Sequence, residues 1–520
     1  MDSTAVAEEV TPSASIADSL PTIRVRPSQF NARTVAEDGT LLLFNSFSGA
    51  FSGLPARSRA QAELLLQRKG CAIEQTGLAK YMFDRGFLVP ETTNELHKLR
   101  SLHGFQHYRA DRMELILLSS EECNFRCVYC YETFSRGTME PWVRQAVVAM
   151  TERRIKYLRC LNVTYFGGEP LLGMEAIRDI SPRLQQLAKE NGVEFASHMT
   201  TNGYLLTKDV LSELLSYDCR DYQITIDGSP SDHDCKRGLK EGGPSFQTIY
   251  DNLKDARELS EQFLITIRIN FDRDNLPRLH SFFELLKNDF AGDSRFEIRF
   301  RPVGKWGGAN DEQLNIYPIE AASSKEITGH SARLDLVKTA SMMGLRSEAQ
   351  LPWIQAQSGR GICYAARPHN LIIGADGKIM KCTVALDQKD FNIVGYLKED
   401  GFPDIDYEKF SKWVVSAFED DDTCKKCFFL PTCQGISCPK PRIAGEKRPC
   451  PPEKTQIGET LRSLWEEKKT KGNLCRVVQA ESATQAENAK TRDDRYVNEV
   501  ASPVLSVSQQ FQNENLGVIV

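Results

Sequence analysis

Cys123-Asn-Phe-Arg-Cys127-Val-Tyr-Cys130 is the stretch that decides the fold and chemistry of this chain. It follows an apolar run, Leu115-Ile-Leu-Leu118, that is typical of a buried strand. Iron–sulfur clusters usually have four cysteine ligands, so three thiolates in one short loop would leave the fourth iron open to another ligand. A zinc site and a chance grouping of structural thiols are the alternatives. The open iron is the first indication of function.

The composition describes an ordinary soluble protein. The 520 residues suffice for two or three domains. Hydrophobic residues make up 41% and charged residues 26%, with a net charge of −5, which does not indicate a nucleic-acid binder or a polybasic membrane protein. No apolar run reaches the roughly 20 residues that span a bilayer, and the first residues lack the pattern of a signal peptide. We expect a cytoplasmic protein with neither a nucleic-acid nor a membrane partner.

Metal sites best explain the fifteen cysteines, because cytosolic thiols are kept reduced and rarely form disulfides. Three of them lie within 123–130 and seven within 363–450. We interpret the scattered remainder as ordinary thiols: Cys71, Cys160, Cys219, Cys235 and Cys475.

Strands and helices alternate between residues 114 and 302, which predicts a parallel α/β sheet or barrel. The predicted strands are 114–118, 162–166, 194–199, 222–226, 264–270 and 296–301. The predicted helices are 141–157, 174–190, 207–216, 245–260 and 276–287. Six strands alternating with helices in this way make a partial, TIM-like (β/α)6 barrel that is open on one side. Ligands of parallel α/β folds lie at the carboxyl ends of the strands, where the cysteine loop also lies.

The residues before this core form a small α+β unit. Two predicted strands, 41–44 and 50–54, precede helices at 58–69 and 77–84 and suggest a winged-helix-like fold. The order resembles leader-peptide recognition domains of peptide-modifying enzymes, in which a peptide adds a strand to the sheet. A structural cap on the next domain is the alternative.

The whole chain is expected to divide into six segments. They are a disordered leader (1–27), the N-terminal domain (28–105), the α/β core (106–310), a linker or bridging region (311–355), a cysteine-rich domain (356–455), and a C-terminal helix with a flexible tail (456–520).

Three further loops should emerge on the same face as the cysteine loop. They are Phe166-Gly-Gly-Glu-Pro170, Thr200-Thr-Asn-Gly203, and Thr225-Ile-Asp-Gly228 followed by His233-Asp-Cys-Lys-Arg237. Glycines in the first loop let the backbone approach a ligand closely, and Glu169 offers a carboxylate to a ligand ammonium group. A tight turn with a solvated glutamate is the alternative.

These motifs resemble the radical S-adenosylmethionine (SAM) superfamily. The resemblance implies that Cys123, Cys127 and Cys130 bind a 4Fe-4S cluster whose open iron is chelated by SAM. It also implies that Tyr129 flanks the adenine and that Gly167, Gly168 and Glu169 bind the methionine amino group. Thr225 and Arg237 would reach the SAM ribose and carboxylate. Such a site generates a 5′-deoxyadenosyl radical, which amino-acid side chains alone cannot supply.

The later cysteines resemble the seven-cysteine SPASM domain, which carries two auxiliary 4Fe-4S clusters in peptide- and protein-modifying members. The resemblance implies an outer cluster on Cys424, Cys427, Cys433 and Cys450, and an inner one on Cys363, Cys382 and Cys438. No cysteine occurs in 355–362, so we expect an inner cluster with an open iron. Four residues, 434–437, separate the fifth and sixth cysteines where the family usually has three. A zinc ribbon around Cys424 and Cys427 is the alternative.

We therefore predict a radical SAM/SPASM enzyme that modifies a ribosomally made peptide, forming a thioether or carbon–carbon crosslink. Its expected partners are a precursor peptide and an electron donor such as a flavodoxin or ferredoxin. The first alternative is an anaerobic sulfatase-maturating enzyme. Those enzymes carry an Asp that acts as the base where this chain has Thr383. Asp387 or Asp390 would have to take over that role here. A non-catalytic iron–sulfur binding or regulatory protein is the alternative of another class.

Overall fold

The computed structural model describes residues 22–470, apart from 69, 75, 135, 321–325, 416–417, 419–420 and 446–449. Most of the predicted leader, the predicted tail from residue 471 and Cys475 therefore lie outside the described residues.

The N-terminal unit contains two three-stranded antiparallel sheets, with Thr22–Pro27 as the central strand of one and Leu41–Asn45 as the central strand of the other. Its strands are β1 (Thr22–Pro27), β2 (Asn31–Val35), β3 (Leu41–Asn45), β4 (Phe51–Leu54), β5 (Cys71–Glu74) and β6 (Leu88–Pro90). Its helices are α1 (Ala56–Gln67), α2 (Gly77–Asp84) and α3 (Glu95–His107).

Strand β1 corrects the predicted boundary of the leader, which was expected to extend to residue 27. Ile23 and Val25 alternate with arginines, and Val25 is fully buried between β5 and β6. This period of two is the pattern of a half-buried strand. Residues 22–27 therefore belong to the folded unit.

Six parallel strands form the centre of the molecule and confirm the predicted α/β core. They pair in chain order and are β7 (Arg112–Ser120), β8 (Cys160–Gly167), β9 (Glu194–Thr201), β10 (Cys219–Thr225), β11 (Leu264–Phe271) and β12 (Phe296–Pro302). The helices of this part are α4 (Pro141–Arg154), α5 (Met174–Glu190), α6 (Lys208–Ser216), α7 (Pro230–Lys236), α8 (Phe246–Ala256) and α9 (Leu279–Phe290). The strands are almost entirely buried, because helices cover a sheet whose residues are largely apolar.

The central sheet continues into the cysteine-rich segment. Strand β13 (Asn370–Ile373) pairs in parallel with β7, and β14 (Lys378–Met380), β15 (Ile393–Leu397) and β16 (Pro403–Ile405) follow in antiparallel order. Both edges of β7 are therefore paired, one with β8 and one with β13. The first and sixth strands of the core do not close on each other.

The remaining helices connect these parts. They are α10 (Gly329–Met342), α11 (Leu351–Ile354), α12 (Tyr407–Val414), α13 (Asp422–Lys425), α14 (Leu430–Cys433), α15 (Pro439–Ile443), α16 (Pro452–Thr455) and α17 (Ile457–Thr470). Helix α17 packs on β2 and β3, and Trp465 and Phe429 share one apolar cluster with Phe44 and Phe51. The N-terminal unit thus contacts the cysteine-rich segment directly.

Candidate functional site

The loop after β7 brings Cys123, Cys127 and Cys130 to one open cavity. The loop backbone is fixed from the opposite side, because Arg126 N donates to Gly238 O and Val128 N to Lys236 O, both at 2.9 Å. Burial raises the pKa of the Cys130 thiol to about 12 and that of Cys123 above its usual range. The three predicted ligands therefore share a site at the carboxyl ends of the strands.

Gly167 and Gly168 lie where β8 ends against the cysteine loop, and both line the cavity. A Cβ on Gly167, whose φ is +129°, would lie 2.0 Å from Ser120 O. A Cβ on Gly168 would lie 2.5 Å from Glu122 O and 3.0 Å from Cys123 Cβ. Such separations are far below ordinary contact, so the two glycines are required for this strand end to reach the loop.

Glu169 is fully buried and does not line the cavity. Its carboxylate accepts hydrogen bonds from Thr201 Oγ1 at 2.7 Å, Asn202 N at 2.7 Å and Leu171 N at 3.1 Å. Burial raises the pKa of this carboxyl. The structure therefore places the predicted amino-group ligand behind the two glycines, where it joins the ends of β8 and β9.

Tyr129 is half-buried on the cavity wall, and its hydroxyl is the centre of a polar network. The hydroxyl donates to Asp227 and accepts from Arg237 Nη1 at 2.8 Å and Asn270 Nδ2 at 3.0 Å. Asp227 is fully buried, and burial raises its pKa. Arg237 also lies over the Phe125 ring, while its buried Nε has no hydrogen-bond partner among the described residues. The network fixes the Tyr129 ring, and Arg237 Nε remains able to donate a hydrogen bond beside the cavity.

The cavity wall opposite the loop is formed by β10 and β11. Thr225, predicted to contact SAM, lines the cavity beside Gln223, and Arg268 and Asn270 follow on the next strand. The sequence motifs give no role to Gln223, Arg268, Asn270 or Asp227. A signal was present, because polar residues at alternate positions in otherwise apolar strands face one side of a sheet.

The later cysteines fall into two groups. The Cys363 thiol interacts electrostatically with those of Cys382 and Cys438. The Cys433 thiol interacts with the three others of its predicted set, Cys424, Cys427 and Cys450. In the described part of the chain, no three His, Cys, Asp or Glu side chains are spaced to hold a single metal ion. In a cubic cluster each thiolate binds a different iron, so the ligands need not converge on one point.

A second open cavity adjoins the first and shares Tyr131, Glu132, Phe134 and Trp306 with it. Its far wall is formed by residues 384–388 and Lys440, close to the predicted inner-cluster ligands in sequence. Burial and the nearby Glu121 and Asp387 carboxylates raise the pKa of Glu132 to about 8. The two cavities together connect the cysteine loop with the cysteine-rich segment.

The structure also locates the residues considered for the sulfatase-maturase alternative. Thr383 is fully buried, and its hydroxyl lies 2.7 Å from that of Tyr364. Asp387 lines the second cavity, where it accepts from Thr133 Oγ1 at 2.7 Å and pairs with Arg136 at 3.2 Å. Asp390 is exposed and lines neither cavity. None of the three is an unengaged base facing the first cavity.

Within the described residues, every helix is too short or too polar to span a lipid bilayer. The fold and site define an α/β protein with a three-cysteine loop at the carboxyl edge of a parallel sheet.

Residues 117–283 match the family model described as the Radical SAM superfamily. The match implies that this part of the chain uses SAM and a 4Fe-4S cluster. The chain is also similar to the radical SAM cyclopropyl synthase TigE of Paramaledivibacter caminithermalis, with 24% identity over 188 residues, 30% of this chain and 39% of that protein. It is similar to the mycofactocin maturase MftC of Mycolicibacterium smegmatis, with 24% identity over 60% of this chain and 74% of that protein.

A solved structure titled native anSMEcpe with bound AdoMet matches with a TM-score of 0.49 and 15% sequence identity. The match covers 69% of this chain and 97% of that one.

Proposed function

We propose that this chain is a radical SAM/SPASM enzyme that modifies a ribosomally synthesised peptide by removing a hydrogen atom and forming a thioether or carbon–carbon crosslink. The observation that carries the proposal is the pair of adjoining cavities. One holds the three-cysteine loop with the predicted SAM residues, and the other extends to the cysteine-rich segment. A peptide residue lying between them would have the cysteine loop on one side and residues 384–388 of the cysteine-rich segment on the other.

In the first cavity, Cys123, Cys127 and Cys130 would hold the cluster that binds SAM. The donor set fits, since three thiols face a cavity with glycine backbone on one side and the unpartnered Arg237 Nε on another. When bound, the cluster and SAM supply a 5′-deoxyadenosyl radical that takes hydrogen from unactivated carbon.

The protein residues around the cluster loop would bind and orient SAM. Gly167 and Gly168 offer backbone groups to the methionine end, while Glu169 acts as a positioning residue behind them. Tyr129, held by Asp227 and Asn270, would flank the adenine. The remaining predicted contacts are Thr225 to the ribose and Arg237 to the carboxylate.

In the cysteine-rich segment, Cys424, Cys427, Cys433 and Cys450 would ligate an outer cluster and Cys363, Cys382 and Cys438 an inner one with an open iron. The electrostatic grouping of these thiols supports the two sets. Iron analysis tests them: about twelve irons per chain are expected, falling to about eight when Cys123, Cys127 and Cys130 are replaced by alanine. About four irons in the parent chain would contradict the auxiliary clusters.

The N-terminal unit of residues 22–105 is proposed to recognise the leader of the precursor peptide. Its two small sheets offer strand edges to which a peptide can add.

Two relatives of the chain are named a cyclopropyl synthase and a mycofactocin maturase, which supports a modifying function. An electron donor such as a flavodoxin or ferredoxin completes the proposed reaction.

Co-expression tests the proposed function. The chain is produced with each short open reading frame of its genomic neighbourhood, and the peptide masses are compared with those from the chain in which Cys123, Cys127 and Cys130 are alanine. We expect the peptide to lose two hydrogens per crosslink with the parent chain and to keep its mass with the alanine variant. Peptide masses that are identical in both cultures for every frame would contradict crosslinking. Formylglycine in a co-expressed sulfatase peptide would favour the maturase alternative instead.

A further inference from the structure

Lys454 contacts a predicted cluster ligand and has no role in the reaction proposed above. Its Nζ donates a hydrogen bond to Cys450 Sγ at a distance of 2.9 Å. Its ammonium charge also interacts with the thiols of Cys427 and Cys433. One lysine therefore faces three of the four cysteines assigned to the outer cluster.

The position of Lys454 is fixed by neighbouring contacts rather than by the thiol alone. Its backbone N–H donates to Pro451 O at 2.9 Å at the start of α16. The adjacent Glu453 pairs with Arg333 of α10 at 3.2 Å. Gln456, two residues after Lys454, accepts from Thr328 Oγ1 at 2.6 Å. These contacts tie α16 to the start of α10 and direct the lysine toward the sulfur.

The charge of Lys454 is not neutralised by a carboxylate within the described residues. Backbone N–H groups also donate to predicted ligand sulfurs, from Phe125 to Cys123 and from Phe429 to Cys427, both at 3.4 Å. Those donors cannot be removed by changing a side chain. Lys454 differs from them because it adds a full positive charge that substitution can delete.

We propose that Lys454 is a positioning residue that raises the reduction potential of the outer auxiliary cluster, through its hydrogen bond to Cys450 and its charge beside the ligand thiolates. Hydrogen bonds to sulfur and net charge both set the potential of an iron–sulfur cluster. Reduction adds one negative charge to the cluster, and a nearby ammonium group stabilises that reduced form. The inference rests on the proposed function, since it requires the outer cluster.

The test measures midpoint potentials in the full-length chain with Cys123, Cys127 and Cys130 replaced by alanine, so that only auxiliary clusters are reconstituted. Lys454→Met removes both the donor and the charge, Lys454→Gln keeps a donor without the charge, and Lys454→Arg keeps both. Lys426→Met is the matched control, because Lys426 is exposed between Cys424 and Cys427 without a described bond to sulfur. Dithionite supplies the electrons, and EPR follows each cluster.

One of the two auxiliary signals is expected at a lower potential in Lys454→Met, by about 59 mV if the equilibrium constant for one-electron reduction falls tenfold. Lys454→Gln should lie between the methionine variant and the parent, and Lys454→Arg close to the parent. If Lys454→Met fails to retain the cluster, the glutamine and arginine variants decide the question.

Equal potentials in the parent and the glutamine and methionine variants would overturn the inference, as would an equal shift in Lys426→Met. Failure of the proposed function gives a different result. The parent itself would then contain no auxiliary iron, and the inference would fall together with the outer cluster.

Discussion

Replacing Gly168 by alanine tests whether the end of β8 positions the cysteine loop. A Cβ at residue 168 would lie 2.5 Å from Glu122 O, whereas ordinary contacts begin at 3.4 Å. The loop and the strand end must therefore separate by about 0.9 Å, and a displacement near 1 Å in an active site can cost about 10²-fold in rate. Overpacking of this kind also costs about 1–3 kcal/mol of stability.

The assay is reductive cleavage of SAM to 5′-deoxyadenosine under anaerobic conditions, which needs no knowledge of the peptide. Gly168→Ala should lose about two orders of magnitude in rate. Gly137→Ala is the matched control, because it follows the same loop and a Cβ there would contact nothing within 4 Å. Iron content is measured in parallel to show whether the cluster is retained. A Gly168→Ala enzyme that cleaves SAM at the parental rate would refute the reasoning.

Three further predictions concern buried polar groups. Glu169→Gln should lower the free energy of unfolding by about 1–3 kcal/mol in denaturant titrations, since one amide oxygen cannot serve three donors. Tyr129→Phe should raise the KM for SAM about tenfold, because Asp227 loses the hydroxyl it accepts from. His103 is buried, and burial lowers its pKa to about 4. At pH 5.5 His103 is therefore protonated in the unfolded chain but not in the folded one, which should lower the free energy of unfolding by about 1.4 kcal/mol. His103→Phe should remove this loss.

Each of these predictions has its own contradicting result. Unchanged denaturation of Glu169→Gln would mean that its three hydrogen bonds are replaced at no cost. A parental KM in Tyr129→Phe would leave the polar network without a role in binding SAM. For His103 the sign follows from the lowered pKa, because stability is complete above pH 6.5 and declines as pH falls toward 4. The same loss between pH 7.5 and 5.5 in His103→Phe and the parent would contradict that account.

The central strands could be predicted because most of them contain continuous or alternating apolar residues, as Leu115-Ile-Leu-Leu118 and Phe296-Glu-Ile-Arg-Phe300 show. Local periodicity carries that information. It does not state which distant segment pairs with a strand, so the parallel pairing of β13 with β7 was not predicted. Strand β1 was missed because its arginines resembled the polar leader before it.

The candidate site shows the same division between local and long-range information. The cysteine spacing and the Gly-Gly-Glu loop could be recognised because their residues are adjacent in sequence. The fully buried position of Glu169 depends on the end of β9, and the Tyr129 network depends on β10 and β11. Arg268 and Asn270 carry no motif, since single inward-facing polar residues acquire meaning only when the sheet places them beside the loop.

Hydrogen transfer from a peptide is the most direct test of the central claim. A uniformly deuterated precursor peptide, identified by co-expression, is incubated with the reconstituted enzyme, SAM and reductant, and the 5′-deoxyadenosine is analysed by mass spectrometry. We expect a single deuterium in the product, absent when Cys123, Cys127 and Cys130 are alanine. 5′-Deoxyadenosine that forms at an undiminished rate but carries no deuterium would contradict the assignment of this chain as a peptide-modifying radical enzyme.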